Sequence, residues 1–117
     1  MIVNNLTPHS IVLRGTDGLE TTVMPSGQVA RVASVPGRPI GQAGGVPVFA
    51  APTWGAVEGL PAPVADTLYL VSALVAARCT GRKDVVSPGT GPQDGAIRDE
   101  RGQVVAVTRL IQAPQEV

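Results

Sequence analysis

The chain has 117 residues, of which 44% are hydrophobic, and its nine basic and nine acidic residues cancel at neutral pH. That length fits one domain with a core of its own, and the balanced charge argues against a partner held by bulk charge, such as duplex nucleic acid or an anionic membrane. Cys79 has no second cysteine to pair with, and no apolar run approaches the roughly 20 residues that span a bilayer. The opening MIVNNLTPHS lacks the basic and apolar segments of a secretory signal, so we expect a cytoplasmic protein.

Short apolar runs in the first half of the chain are typical of β-strands, and glycine or proline separates them. The turn sequence GTDG at residues 15–18 predicts a hairpin between two of them. The segment GRPIGQAGG, residues 37–45, is too rich in glycine and proline for regular structure, and we expect a mobile loop there. The predicted β-meander consists of residues 2–3, 9–14, 20–24 and 29–35, with a further strand at 46–51 after the loop.

The second half predicts one helix among further strands. Residues 67–71, TLYLV, form a β-type run, and Ser72 is suited to cap a helix over about residues 72–80 that Gly81 ends. A rigid connection at 59–63 precedes this unit. Strands at 83–87, 95–98 and 103–111 follow it.

The last strand-like run alternates along AVTRLI, which predicts that Val107, Arg109 and Ile111 share one face. Taken together, the runs predict an α+β fold that is mainly antiparallel β with one short helix. We expect residues 1–117 to form a single compact β-rich domain.

The chain has few residues that could serve in catalysis or bind a metal ion. There is one histidine and one cysteine, and the GxSxG, Walker and dinucleotide fingerprints are missing. His9 follows Thr7-Pro8 and is better suited to fix a turn than to act as a base. We therefore predict no catalytic residues, no metal site and no cofactor, and expect a protein that is not an enzyme.

The stretch RKDVVSPGTGPQDGAIRDERG, residues 82–102, holds eight of the chain's charged residues around a glycine-rich turn. Glycines let main-chain N–H groups turn toward an anion, and Thr90 next to Gly91 adds a hydroxyl. The basic residues that flank this turn are Arg82, Lys83, Arg98 and Arg101. One interpretation is an anion site, with phosphate as the obvious ligand; the other is a solvated surface turn whose bases pair with nearby carboxylates.

The chain has three aromatic residues, and two of them lie in apolar strand-like runs. We expect Phe49 and Tyr69 to pack in the core. Trp54 lies in a Pro-Thr-Trp-Gly segment, where a loop could present the indole for stacking on a base or use it to cover the edge of the core.

Three segments carry a resemblance to known proteins: NLTPHSIVL, GLPAPVADTLYLVSALVAA, and RKDVVSPGTGPQDGAIRDERGQVVAVTRLI. Together they resemble a widespread family of small phage and prophage proteins, and among these the Thoeris anti-defence sponge proteins of the first described type. Members of that family bind cyclic ADP-ribose isomers made by bacterial TIR-domain enzymes without cleaving them, and some also hold cyclic oligonucleotides. The resemblance implies a cyclic nucleotide signalling molecule as partner, and the bacterial host cytoplasm during infection as location. It also implies a homo-oligomer with sites at subunit boundaries.

The resemblance also suggests roles for particular residues. Arg98, in the sequence IRDE, is expected to contact phosphate, with Arg82 next. Asp84 and Asp99 would orient these guanidiniums or bind ribose hydroxyls. The full set of expected ligand-binding residues is Arg98, Arg82, Asp84, Thr90, Gly91, Asp99, Arg101 and Trp54.

Two other functions stay open from the residues alone. A phage structural or host-directed interaction module would use the charged stretch to contact a protein and its apolar strands to form a homo-oligomer. A phosphodiesterase would require a metal ion or a general base, for which the sequence offers no candidate.

Overall fold

The computed structural model describes residues 1–116, and strands make up most of its regular structure. The elements in chain order are β1 (Ile2–Asn5), β2 (Ile11–Arg14), β3 (Glu20–Val23), β4 (Arg31–Val35), β5 (Pro39–Ala43), β6 (Val46–Phe49), β7 (Thr53–Glu58), β8 (Thr67–Leu70), α1 (Ala73–Ala76), β9 (Val85–Pro88), β10 (Ile97–Arg98), β11 (Val104–Ala106) and β12 (Leu110–Gln112). The expectation of a mostly β domain with one short helix is confirmed.

A four-stranded sheet in the order β1-β8-β9-β12 forms the centre of the molecule. Strand β8 runs parallel to both β1 and β9, and only β12 joins in antiparallel fashion. The sheet is therefore mixed, which corrects the expectation of mainly antiparallel pairing at this place. The paired strands β1 and β8 are separated by about 60 residues of chain. A pairing over this distance cannot be predicted from the local sequence of either strand.

The hydrophobic core lies on this sheet and under the helical turn. The side chains of Tyr69, Val71 and Val85 are at most 3% exposed, as is Leu6. The TLYLV run and the pair Val85-Val86 are apolar on successive positions because β8 and β9 are interior strands, covered on both faces. Tyr69 thus lies in the core as predicted, and its hydroxyl donates to the carbonyl of Ala62 at 3.3 Å.

The helix is shorter than the predicted range of about 72–80. Ser72 caps it as expected, accepting a hydrogen bond from the main-chain N–H of Val75 at 3.3 Å. After Ala76, however, the chain tightens: the N–H of Cys79 donates to the carbonyl of Ala76, and that of Arg82 to Cys79. These three-residue bonds replace the four-residue ladder, because the buried Cys79 is drawn into the core.

The hairpin predicted around residues 15–18 is confirmed, since β2 and β3 pair from Ile11/Val23 to Arg14/Glu20. The β-meander predicted for the first half is wrong. β1 pairs with β8, and β4 pairs with β7, so that β3 and β4 are not neighbours in a sheet. The Asn5 side chain directs the chain away after β1: its amide donates to the carbonyls of His9 and Val23, and Thr7 donates back to it.

Residues 37–45 are not a loop, which corrects the expectation for GRPIGQAGG. They contribute β5, which pairs with β6 across a two-residue turn formed by Gly44 and Gly45. Both glycines have positive φ, 59° and 80°, as the tight hairpin turn between right-twisted strands requires. Phe49 lies in this hairpin and is 58% exposed, so its predicted place in the core is wrong.

The predicted continuous strand at 103–111 is two strands in two sheets. β11 pairs with β10, and β12 pairs with β9. Between them Val107 turns inward and bonds to β2. Its main-chain N–H donates to the carbonyl of Val12, and its carbonyl accepts a hydrogen bond from the main-chain N–H of Arg14. Val107 is buried whereas Arg109 is exposed, so the predicted shared face does not form.

Candidate ligand-binding site

The glycine-rich turn follows directly after β9, where the chain leaves the central sheet. Thr90 lies between two open clefts at this point. One cleft, of about 200 Å³, lies against β2 and β11 and is lined by Ser10, Ile11 and residues 104–107. The other, of about 310 Å³, lies against α1 and β12 and is lined by Ala73, Ala76, Ala77 and Asp94, among others. Thr90 and Pro88 belong to the walls of both clefts.

The main-chain N–H groups of the two loop glycines are engaged within the protein. Gly91 donates to Oδ2 of Asp94 at 2.9 Å, and Gly89 donates to the carbonyl of Arg109 at 3.0 Å. A Cβ at position 89 would come within 2.9 Å of that carbonyl, so this close approach requires glycine. The Asp94 carboxylate therefore takes the place beside Gly91 that a bound anion would have in the anion-site interpretation of this turn.

Arg98 connects the glycine-rich turn to the hairpin of β10 and β11. Its Nη2 donates to the carbonyl of Thr90, and its Nη1 donates to the carbonyl of Gly102, both at 2.9 Å. The side chain is exposed. A guanidinium has five N–H donors, so a group held by two of them has further donors to offer an anion.

Asp99 shapes the turn of the same hairpin. Its Oδ1 accepts hydrogen bonds from the main-chain N–H groups of Arg101 and Gln103, at 2.9 and 3.0 Å. The Arg101 side chain is exposed and forms no salt bridge with any residue in 1–116. The hairpin turn thus presents the guanidinium of Arg101 to solvent, while Asp99 bonds to the main chain of the turn.

Arg82 and Asp84 form an ion pair with two hydrogen bonds, from Nε at 2.8 Å and from Nη2 at 2.9 Å. Nη2 also donates to the carbonyl of Pro61 at 3.0 Å, which ties the 59–63 connection to the start of β9. The hydrogen bond with Arg82 lowers the pKa of the Asp84 carboxyl below its ordinary value, and the same bond raises the pKa of Arg82. Both side chains are mostly buried, so this pair is well suited to support the fold.

Trp54 lies in β7, not in a loop, and 42% of it is exposed. The guanidinium carbon of Arg78 is 5.4 Å from the centre of the indole ring, within the range of a cation–π contact. This contact joins β7 to the chain just after α1. One indole face is thereby taken up by Arg78.

The structure brings the predicted site residues into three separate groups. Thr90, Gly91 and Arg98 meet in one place, together with the hairpin that holds Asp99 and Arg101. The Arg82–Asp84 pair precedes β9, whereas the turn follows it, and four strand residues separate them by roughly 13 Å. Trp54 belongs to a third group with Arg78.

Two residues near the turn escaped the sequence prediction as parts of the site. Asp94 closes the glycine-rich turn, and Arg109 lies 3.9 Å from its carboxylate. The spacing Gly-Pro-Gln-Asp is a signal for Asp94, since an aspartate three residues after a glycine is able to bond back to its N–H. No sequence pattern indicated Arg109, because it lies in the connection between β11 and β12, outside the glycine-rich turn.

The arrangement around Thr90 places a hydroxyl and one or two exposed guanidiniums at the rim of two open clefts. Within residues 1–116, no cluster of three or more His, Cys, Asp and Glu side chains could hold a metal ion. No helix in that part of the chain is long and apolar enough to cross a membrane. No family model, curated protein or solved structure matches the chain.

Proposed function

We propose that the protein binds and sequesters a cyclic nucleotide signal of the cyclic ADP-ribose class, with cyclic oligonucleotides as a second ligand class, and does not cleave it. It would act as an anti-defence sponge in the cytoplasm of a bacterial host during phage infection, as a homo-oligomer. The sequence resemblance in residues 5–13, 59–77 and 82–111 supports the ligand class.

The observation that carries the proposal is the cluster of Thr90 and Arg98 at the junction of two clefts. A cyclic ADP-ribose isomer has a pyrophosphate, a purine and ribose hydroxyls. The free donors of Arg98 suit the pyrophosphate, the Thr90 hydroxyl suits a ribose, and the mostly apolar wall of the cleft against α1 and β12 suits a purine face. Binding of this kind needs complementarity and no reacting side chain.

The test is ligand capture and release. The protein is incubated with a cyclic ADP-ribose isomer, separated from free ligand, and heated to denature it; we expect intact ligand in the supernatant. A cleaved product would identify an enzyme, and no capture would overturn the sponge function.

The site within the protein is tested by Arg98→Ala. Loss of a charge-assisted contact is expected to cost about 2 kcal/mol of binding free energy, or roughly 30-fold in affinity. Arg98→Lys keeps the charge but loses the planar fork and should also weaken binding. Arg31→Ala is the matched control, because Arg31 is exposed on β4 and has no salt bridge within residues 1–116. Capture that survives both Arg98 substitutions would contradict this placement of the site.

A second candidate function has its own observation. The β-ribbon of residues 33–56 exposes apolar side chains along its whole length, which favours a phage structural or host-directed interaction module that forms a homo-oligomer. Self-assembly without any capture of the cyclic nucleotide would support this alternative.

A further inference from the structure

The ribbon arm, residues 33–56, projects from the domain as a two-stranded antiparallel ribbon. It comprises the outer part of the β4–β7 pair and the whole β5–β6 hairpin, whose strands contact chiefly each other. No residue of the arm is buried. An isolated two-stranded ribbon is at best marginally stable in water, so this arm requires a covering surface.

Both faces of the ribbon arm are apolar at its tip. Successive residues of a strand lie on opposite faces, so Val46 and Val48 of β6 share one face of the ribbon while Phe49 lies on the other. Val35 and Ile40 are each 66% exposed, and Val46 is 63% exposed. Arg38 is the single charged residue among residues 33–56. A solvated surface arm would carry many more charges.

Strand addition along the edge of the arm is obstructed. The prolines in the arm have no N–H to donate to an incoming strand. Pro47 lies opposite Gln42, next to the hydrogen-bonded pair at the turn, where a strand's N–H would point outward. The arm is thus suited to be covered over its faces, not extended at its edges. The prolines of the arm are Pro36, Pro39, Pro47 and Pro52.

An open groove of about 710 Å³ lies elsewhere on the same chain, against β1 and the β2–β3 hairpin. Its walls are largely apolar and include Leu13, Leu19 and Met24; Leu19 is 71% and Met24 66% exposed. Asp17 is the one charged side chain among the lining residues. The arm does not occupy the groove of its own chain, because the apolar side chains of both surfaces remain exposed.

We propose that the ribbon arm of one chain docks in the β1–β3 groove of a second copy of this chain. Both complementary surfaces belong to one sequence, which makes a second copy the natural occupant. Charge supports the pairing, because Arg38 on the arm can meet Asp17 in the groove, whereas two arms packed together would bring arginines near each other. The large apolar side chains of the arm expose on the order of 500 Å², the major part of the roughly 800 Å² that each partner contributes to a standard interface.

This inference rests on the homo-oligomer of the proposed function but not on its ligand. Light scattering coupled to size exclusion of the full chain tests it, with Val46→Asp as the arm variant and Met24→Asp as the groove variant. Each substitution is expected to raise the dissociation constant of self-association by at least about 30-fold, as expected when a charge enters an apolar contact centre. Val64→Asp is the matched control, since Val64 is 56% exposed and lies outside both surfaces.

Mixing separates this arrangement from other ways of assembling. An arm variant keeps an intact groove and a groove variant keeps an intact arm, so an equimolar mixture should form a dimer at a concentration at which each variant alone is monomeric. A monomeric wild type at micromolar concentration would overturn the inference, and so would assembly that Val46→Asp or Met24→Asp leaves unchanged. A mixture that stays monomeric would also overturn it. Urea midpoints measured for each variant verify that the monomer is folded, and the nucleotide-capture assay decides the sponge function separately.

Discussion

Most charged side chains in residues 82–102 form bonds within the protein. Asp94 closes the turn at Gly91, Asp99 closes the turn of the β10–β11 hairpin, and Arg82 pairs with Asp84. Charged residues are concentrated in this segment because its loops have main-chain groups that need side-chain hydrogen-bond partners. Arg98 combines such bonds with an exposed guanidinium, and it is the residue on which the ligand proposal depends.

The ion pair of Arg82 and Asp84 predicts a pH dependence of stability. Because the folded-state pKa of Asp84 is lowered, the pair contributes stability above the carboxyl's ordinary pKa of 3.8 and loses it as the pH falls through the lower folded-state value. Asp84→Asn should reduce the free energy of unfolding at pH 7 by about 2 kcal/mol, since it leaves a mostly buried guanidinium short of its partner.

Urea denaturation at pH 7 and at pH 3 measures this effect. The difference between the wild type and Asp84→Asn should shrink at the lower pH, which lies below the carboxyl's ordinary pKa of 3.8, because the unfolded wild-type chain then gains a proton that the folded ion pair resists. Glu58→Gln serves as the control, because Glu58 is exposed and has no salt bridge within residues 1–116. An equal difference at both pH values would show that the pair does not stabilise the fold through its charge.

Among the elements, α1 is too short to be stable by its own length, so its stability depends on its N-cap and on packing. Four residues make one helical turn, too short for propensity to stabilise it, and its hydrogen-bonding groups are nearly all terminal. Packing of Val75 and Ala76 against the core holds the turn in place. The Ser72 hydroxyl supplies the partner for the N–H of Val75.

Ser72→Ala should therefore lower the free energy of unfolding by about 1 kcal/mol, which is the usual cost of losing an N-cap. Ser72→Asp, which restores an acceptor at the same place, should recover most of that loss. Thermal melts of the three proteins measure the effect. If alanine and aspartate behave alike, the hydroxyl is not acting as a cap.

The ribbon arm is the element in which local sequence and structure differ most. Gly44-Gly45 is a regular two-residue hairpin turn, and alternating Val46 and Val48 follow it, so the signal for a hairpin is present in GRPIGQAGGVPVF. The glycine and proline residues around the turn led to the prediction of a loop, because they lower the β-propensity of a segment. They do not prevent a two-stranded ribbon whose edges face solvent. The arm also explains Phe49, which has an apolar environment only when another surface covers it.

The whole molecule is extended for its size, with a Cα radius of gyration of 16.9 Å and extents of 53 × 39 × 33 Å. A compact domain of this length would have a radius near 13 Å. The small core around β8 and β9 and the projecting arm together account for the difference. This shape leaves large apolar side chains of the arm, such as Ile40 and Phe49, exposed.

A double-mutant cycle across the interface tests the proposed contact between Arg38 and Asp17. Arg38→Gln and Asp17→Asn each remove one charge, and asparagine keeps an acceptor for the N–H of Leu19 in the turn. Each should weaken self-association modestly, and the double variant should be no weaker than either alone, with a coupling of about 0.5 to 1 kcal/mol at low salt.

Sedimentation equilibrium at low and high salt gives the association constants for this cycle. Added salt should reduce the coupling, because it screens exposed charges. If the two substitutions change the free energy of association additively, the two side chains do not meet across the interface.

The sequence by itself determined the features that depend on neighbours in the chain. Its breakers and apolar runs indicated a β-rich chain, GTDG indicated the β2–β3 hairpin, Ser72 indicated the helix cap, and TLYLV indicated a buried strand with Tyr69 in the core. Each depends on turn chemistry, capping or burial preference acting within a few residues.

Only the tertiary structure decided which distant segments meet. The parallel pairing of β1 with β8 joins positions far apart in the chain, and so do the bonds of Val107 to Val12 and Arg14 that separate β11 from β12; no local pattern encodes either contact. The same holds for the candidate site, where the glycine-rich turn was visible in the sequence but the carboxylate that occupies it was not assigned to it. Long-range contacts are selected by the packing of the whole chain, so a short window of sequence contains the parts but not their arrangement.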